Sequence, residues 1–241
     1  MPDHSPISLW FWQGITALSP QQIAQYQQCL SCSEREFLSA ISAQRRRLEY
    51  IVGHYLLRQM LCHVAPHWAP DIRVEHHRGQ APFLTGLNAE RINFSLSHSG
   101  NAVCCVVAQD CPLGLDIERP RRRKYGEIAD AYFAPVETEQ LTRMPVEEQG
   151  AEFYRLWTLK ESLLKAKGDN LNDENLAVTF RPVTDVVDNF WHCYSFKIPP
   201  FCFALTLSQA LSETLHVQVY CPDTFPHRIL QPETRLFTPR I

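Results

Sequence analysis

Between residues 43 and 62 apolar side chains recur at Leu48, Ile51, Val52, Tyr55, Leu56 and Met60. This i, i+3, i+4, i+7 spacing places one face of a helix in a core. Three short apolar runs follow, DIRVEHH, INFSLSHS and AVCCVVA, with the length of strands. The pattern then repeats. Phe153, Leu156, Trp157, Leu163 and Leu164 give a second amphipathic helix over 150–167, and LAVTFRPV, NFWHCYSF, FCFALTLS and LHVQVYC follow as strand-like runs. Helix then meander, twice, predicts an α+β fold of two similar halves of about a hundred residues each. AQDCPLG, residues 108–114, reads as the joint, dividing the chain into an N-terminal half, 1–112, and a C-terminal half, 113–241. No residue-level identity links the halves, so the repeat is one of architecture. Pro222, Pro226, Pro232 and Pro239 predict an irregular C-terminal stretch.

With 45% hydrophobic and 20% charged residues in 241, the composition is that of a soluble globular protein. No apolar run approaches the ~20 residues of a membrane helix. MPDHSPISLWFWQG lacks the basic start and long apolar region of a secretory signal. Nine cysteines, an odd number and scattered, with Cys104 and Cys105 adjacent, predict reduced thiols and a cytoplasmic chain. CLSC, residues 29–32, has no second pair to complete a zinc site, and it runs into SEREF, where Ser33 and Glu36 read as a capping box. The net charge of −3 gives nucleic-acid binding no global support. Arg45, Arg46 and Arg47, and the run RPRRRK at 119–124, read from charge alone as solvated faces.

LGLDIERP, residues 113–120, puts Asp116 and Glu118 two positions apart on an apolar strand, hence on the same face. Adjacent like charges repel, and burying them unpaired is costly. In FYRLWTLKESLLKAKG, residues 153–168, Trp157, Glu161 and Lys165 form one helical stripe. Glu161 and Lys165 alone would be a surface ion pair worth a few tenths of a kcal/mol. A third carboxylate from this helix would instead complete an oxygen site for a hard dication such as Mg²⁺, which favours few carboxylates plus substrate phosphate oxygens. FSLSHSG, residues 94–100, adds Ser97, His98, Ser99 and Gly100, able to hold phosphate or simply to turn the chain. Together with Arg45–Arg47 and Lys165 the inventory suits a polyphosphate.

GLDIE at 114–118, FYRLWTLKESLLKAKG at 153–168 and SHS at 97–99 resemble the three motifs of 4′-phosphopantetheinyl transferases. Spacing and order are similar to the larger, pseudo-dimeric type that activates surfactin-like synthetases, over about residues 45–168. The resemblance implies two similar α+β halves in a pseudo-two-fold arrangement, with coenzyme A in the cleft between them. It implies Mg²⁺ on Asp116, Glu118 and Glu161, and coenzyme A phosphates contacted by Ser97, His98 and Lys165. Glu137, in YFAPVETEQ, falls where the family places its proposed general base; a helix N-terminal glutamate favoured by the dipole is the plainer reading. Lys160 matches the motif as a further coenzyme A contact. Two departures stand out. Glu49 occupies the position four before Gly53 where the family often has arginine, so Arg46 or Arg47 would serve instead. The family's G-x-K-P segment appears as GQAP, residues 79–82, with Ala81 for lysine and Arg78 as the substitute.

The implied reaction moves the 4′-phosphopantetheine arm of coenzyme A to a serine of an apo carrier protein, with Glu137 and Lys165 in the chemistry, 3′,5′-ADP as product and a monomer as the working unit. A metal-dependent phosphodiesterase or nuclease would use the same carboxylates with water as acceptor. A non-catalytic nucleotide- or carrier-binding module would need no carboxylate trio.

Overall fold

Both helices expected from the apolar stripes are present in the computed structural model of the chain, which describes residues 7–169, 178–183, 190–221 and 228–240. Strand β1 (Ser8–Gln13) leads to helices α1 (Pro20–Gln28), α2 (Cys32–Ser39) and the long α3 (Gln44–Val64). Next come β2 (Arg73–Glu75), β3 (Phe83–Thr85), β4 (Ile92–Ser99), β5 (Ala102–Gln109) and β6 (Leu113–Glu118). Helices α4 (Tyr125–Tyr132), α5 (Pro135–Arg143) and the long α6 (Val146–Lys167) precede β7 (Thr179–Pro182), β8 (His192–Ile198), β9 (Phe201–Leu207), β10 (Val217–Val219), β11 (Arg228–Leu230) and β12 (Arg235–Arg240). The fold is α+β. No described helix is long and apolar enough to cross a membrane, and all nine cysteines are free thiols.

The chain forms two units, one of the described residues up to Cys111 with those of His216–Leu230, the other of Pro112–Leu215 with those from Gln231 onward. In the first, a five-stranded sheet runs in the order β11-β10-β1-β5-β4, and α3 packs on it. Val52, Leu56, Leu57 and Met60 of α3 are fully buried against Trp10, Trp12, Val103 and Val107. Burial of each such side chain is worth about 1.5–3 kcal/mol. In the second unit the sheet order is β6-β9-β8-β12-β7, and α6 packs on β6, β9 and β8.

A single cut at 112/113 does not describe these units, because β10 pairs in parallel with β1, Leu9 opposite Val217. Among the described residues the C-terminal stretch is not irregular either. β12 sits between β8 and β7, with Phe237 opposite Cys193 and Pro239 opposite Phe180. Pro222 and Pro226 lie outside the described residues, as do Leu176, Ala177 and Asn189 of the predicted runs. The capping box is Ser31 with Glu34, not Ser33 with Glu36: Ser31 N–H donates to Glu34 Oε2 at 2.6 Å, and Glu34 N–H to Ser31 Oγ at 3.3 Å. Glu34 is completely buried. Burial opposes its ionisation, but hydrogen bonds from His54 and Arg58 prevail and hold its carboxyl at about 2.

Candidate active site

In the second unit, β6 turns Leu113, Leu115 and Ile117 to one face and Gly114, Asp116 and Glu118 to the other. The face with Gly114 carries α6. A Cβ at residue 114 would lie 2.0 Å from the Ser162 carbonyl oxygen and 2.5 Å from the Ala166 nitrogen. Only glycine admits a helix backbone that close to a strand, and the contact brings Glu161 and Lys165 against Asp116 and Glu118. Lys165 Nζ donates to Asp116 Oδ1 at 2.7 Å and to the Leu115 carbonyl at 3.1 Å. Burial pushes the Glu161 carboxyl up to about 7; Asp116 and Glu118 add to the rise, and Lys165 opposes it.

Among the described residues no group of three or more His, Cys, Asp or Glu is drawn together tightly enough to hold a metal ion as it stands. Glu161 nevertheless feels both other carboxylates: burial is the main cause of its raised pKa, and Asp116 and Glu118 add to it. All donors are oxygens, and the excess charge is negative. That chemistry fits a hard dication, which would relieve the repulsion.

Glu137 lies in the first turn of α5, 5% exposed. Its Oε2 accepts the Ala134 N–H at 3.3 Å and stands 2.7 Å from Lys160 Nζ, while Oε1 is buried with no hydrogen-bond partner among the described residues. Lys160 is 2% exposed and also donates to the Val178 carbonyl at 2.6 Å. Burial lowers its pKa, against the pull of Glu137. Lys160, expected at a coenzyme A phosphate, is here paired with Glu137. Nothing in the sequence signalled that pairing, which joins two helices.

In the first unit the strand alternation separates two residues expected to act together. Ser95, Ser97 and Ser99 are buried on one face of β4, and His98 is on the other. His98 meets the first turns of α3: its Nδ1 is 3.0 Å from Glu49 Oε2, and Arg46 hydrogen-bonds its Nε2. Arg45 donates to Glu49 Oε1 at 3.0 Å and to the Gly100 carbonyl. Arg47 is turned elsewhere, donating to the carbonyls of Leu38 at 2.6 Å and Ile41 at 3.2 Å, which close α2. Its guanidinium thus caps a helix end, and of the two arginines expected at phosphate Arg46 is the one placed beside His98. Arg78 is exposed after β2.

Residues 112–212, which contain the carboxylate trio, Glu137 and both lysines, match the 4′-phosphopantetheinyl transferase superfamily. The match covers that segment alone, 101 of the 241 residues. It is 32% identical over 127 residues to the 4′-phosphopantetheinyl transferase HetI of Nostoc sp., covering 52% of this chain and 54% of that protein. It is 28% identical over 155 residues to the 4′-phosphopantetheinyl transferase Sfp of Bacillus subtilis, covering 64% and 67%. Against AcpT of Salmonella typhimurium, also named a 4′-phosphopantetheinyl transferase, identity is 31% over 125 residues, covering 51% and 60%. The match thus spans from about half to two thirds of the length of these three relatives. Within the matched segment, Gly114 and α6 are the elements that bring the acidic side chains near one another.

Proposed function

We propose that the chain is a 4′-phosphopantetheinyl transferase that moves the arm of coenzyme A to a serine of an apo carrier protein. The observation that carries this reading is the glycine contact between β6 and α6, which sets Glu161 within electrostatic reach of Asp116 and Glu118. Asp116, Glu118 and Glu161 would hold Mg²⁺, which when bound supplies positive charge to the pyrophosphate oxygens. The carrier serine oxygen forms a bond to the phosphorus that bears the pantetheine arm, and the bond from that phosphorus to 3′,5′-ADP breaks. Glu137 takes the serine proton at Oε1, the oxygen with no hydrogen-bond partner among the described residues, directly or through a water. Lys165 stabilises the charge on the departing 3′,5′-ADP. In the first unit, Arg46 and His98 are the groups we assign to coenzyme A phosphate oxygens, with Arg78 as a further candidate. The nine free thiols suit a reducing, cytoplasmic site of action.

Release of 3′,5′-ADP from coenzyme A, followed with and without an apo carrier, tests the choice of acceptor. Release that requires the carrier is the expected result; equal release in its absence would establish the phosphodiesterase reading instead.

The arginine run after β6 suits an acidic partner. Its backbone is anchored, since Arg121 N–H donates to Tyr154 Oη at 3.1 Å and Tyr125 Oη donates to the Arg121 carbonyl at 2.9 Å, while Arg121, Arg122 and Arg123 remain exposed. Exposed charges of this kind act mainly on association and are screened within about 8 Å at physiological salt. Replacing all three by glutamine raises the KM for an acidic carrier severalfold, flattens its salt dependence and leaves the KM for coenzyme A unchanged. Steady-state kinetics at low and high salt check this, and unchanged carrier kinetics at low salt would make the run a solvated face.

A further inference from the structure

Glu49 is an acid where an arginine was expected, and its surroundings show what it holds. It is 6% exposed, so its charge needs partners. Arg45 Nε lies 3.0 Å from Oε1; His98 Nδ1 and an Arg46 nitrogen lie 3.0 and 3.8 Å from Oε2. Burial opposes ionisation of Glu49, but His98 and Arg45 prevail and hold its carboxyl below the usual range. An ionised acid can only accept, which assigns the hydrogen to Nδ1 of His98 and leaves Nε2 with a lone pair. Arg46 donates to that lone pair. The imidazole itself is 36% exposed. The charged groups facing it are Glu49 and Arg46 from α3, with Arg45 drawn aside to Glu49 and the Gly100 carbonyl; across the sheet its partner is Val103, which is uncharged.

We propose that Glu49 is a positioning residue for phosphate. It fixes His98 as the Nδ1–H form, and it stabilises the imidazolium that forms when a phosphate oxygen replaces Arg46 at Nε2, the second proton coming from solvent. A carboxylate behind a histidine orients the ring and raises its basicity. This deepens the reading above and rests on His98 contacting a coenzyme A phosphate.

Titration calorimetry of coenzyme A into the full chain, with Mg²⁺ throughout, tests it. Glu49→Gln weakens binding about tenfold near pH 8, the size of one lost hydrogen bond to a charged group. In a His98→Asn background the same substitution has little further effect. Unchanged binding in Glu49→Gln, or a full tenfold loss in the His98→Asn background, overturns the role of Glu49 without touching the reading of His98 as a phosphate contact. If His98→Asn alone binds coenzyme A normally, the phosphate reading of His98 falls with it. A second measurement needs no variant. Nitrogen-15 NMR of the labelled histidines in the wild-type chain gives an Nδ1–H tautomer for free His98 and an imidazolium in the coenzyme A complex near pH 8. An Nε2–H tautomer in the free chain, or a neutral ring in the complex, overturns the proposal.

Discussion

Glu161→Gln and Asp116→Ala lose roughly 10³-fold or more of transfer activity, the several kcal/mol of charge neutralisation that the proposed metal on the carboxylate trio would supply. Glu161→Gln should at the same time make the metal-free chain more stable. The carboxyl of Glu161 is raised from 4.5 to about 7 by burial and by Asp116 and Glu118, with Lys165 in opposition. A raised acid pKa means that the folded chain resists ionisation. The penalty is absent below about 4.5, grows as pH rises towards 7, and is complete above it. Removing the charge near pH 8 therefore stabilises by on the order of 1–3 kcal/mol, and near pH 4 it does nothing. Thermal melts of the two chains with EDTA, set beside their rates with Mg²⁺, check both halves. A variant that melts lower than wild type at pH 8, or one that keeps its activity, would contradict the assignment of this residue.

For Glu137 the rate and the stability move in the same direction. Glu137→Gln lowers kcat by roughly 10²–10⁴ through loss of the proton acceptor. It also removes the counter-charge from Lys160, which is 2% exposed, and uncovering a buried charge costs about 3–5 kcal/mol. A loss of rate could then reflect a loosened fold. The double variant Glu137→Gln, Lys160→Met separates the two, because methionine leaves no charge to neutralise. The melting temperature recovers and the rate does not. If the rate recovers with the fold, Glu137 is a structural partner of Lys160 and the base lies elsewhere. Coenzyme A affinity stays near that of wild type in the double variant, since the Lys160 ammonium is already spent on Glu137 and the Val178 carbonyl.

Much of this site was readable because its geometry is local. Asp116 and Glu118 share a face by the period of a strand, and Glu161 and Lys165 share one by the period of a helix. Gly114 within a strand pattern signals a close approach, and α6 supplies it. The pairing of Glu137 with Lys160 joins two helices and has no period to betray it. The same is true of Arg47, whose place in a run of arginines suggested an anion but whose partners are carbonyls at the end of the preceding helix. Ser97 and His98 were taken together from the motif, although the strand that contains them turns them to opposite faces. In the fold, α3 and α6 followed from long apolar stripes. The strand β1 did not, because SLWFWQ is buried on both faces and shows no alternation. The return of β10 to β1 is a long-range pairing that local pattern cannot specify.

The most direct measurement is the intact mass of an apo carrier protein after incubation with this chain, coenzyme A and Mg²⁺. The carrier gains the mass of one phosphopantetheine, and the gain disappears when its serine is replaced by alanine or when EDTA is added. A carrier of unchanged mass, across a panel of acyl, peptidyl and aryl carriers and with coenzyme A intact, would contradict the transferase assignment.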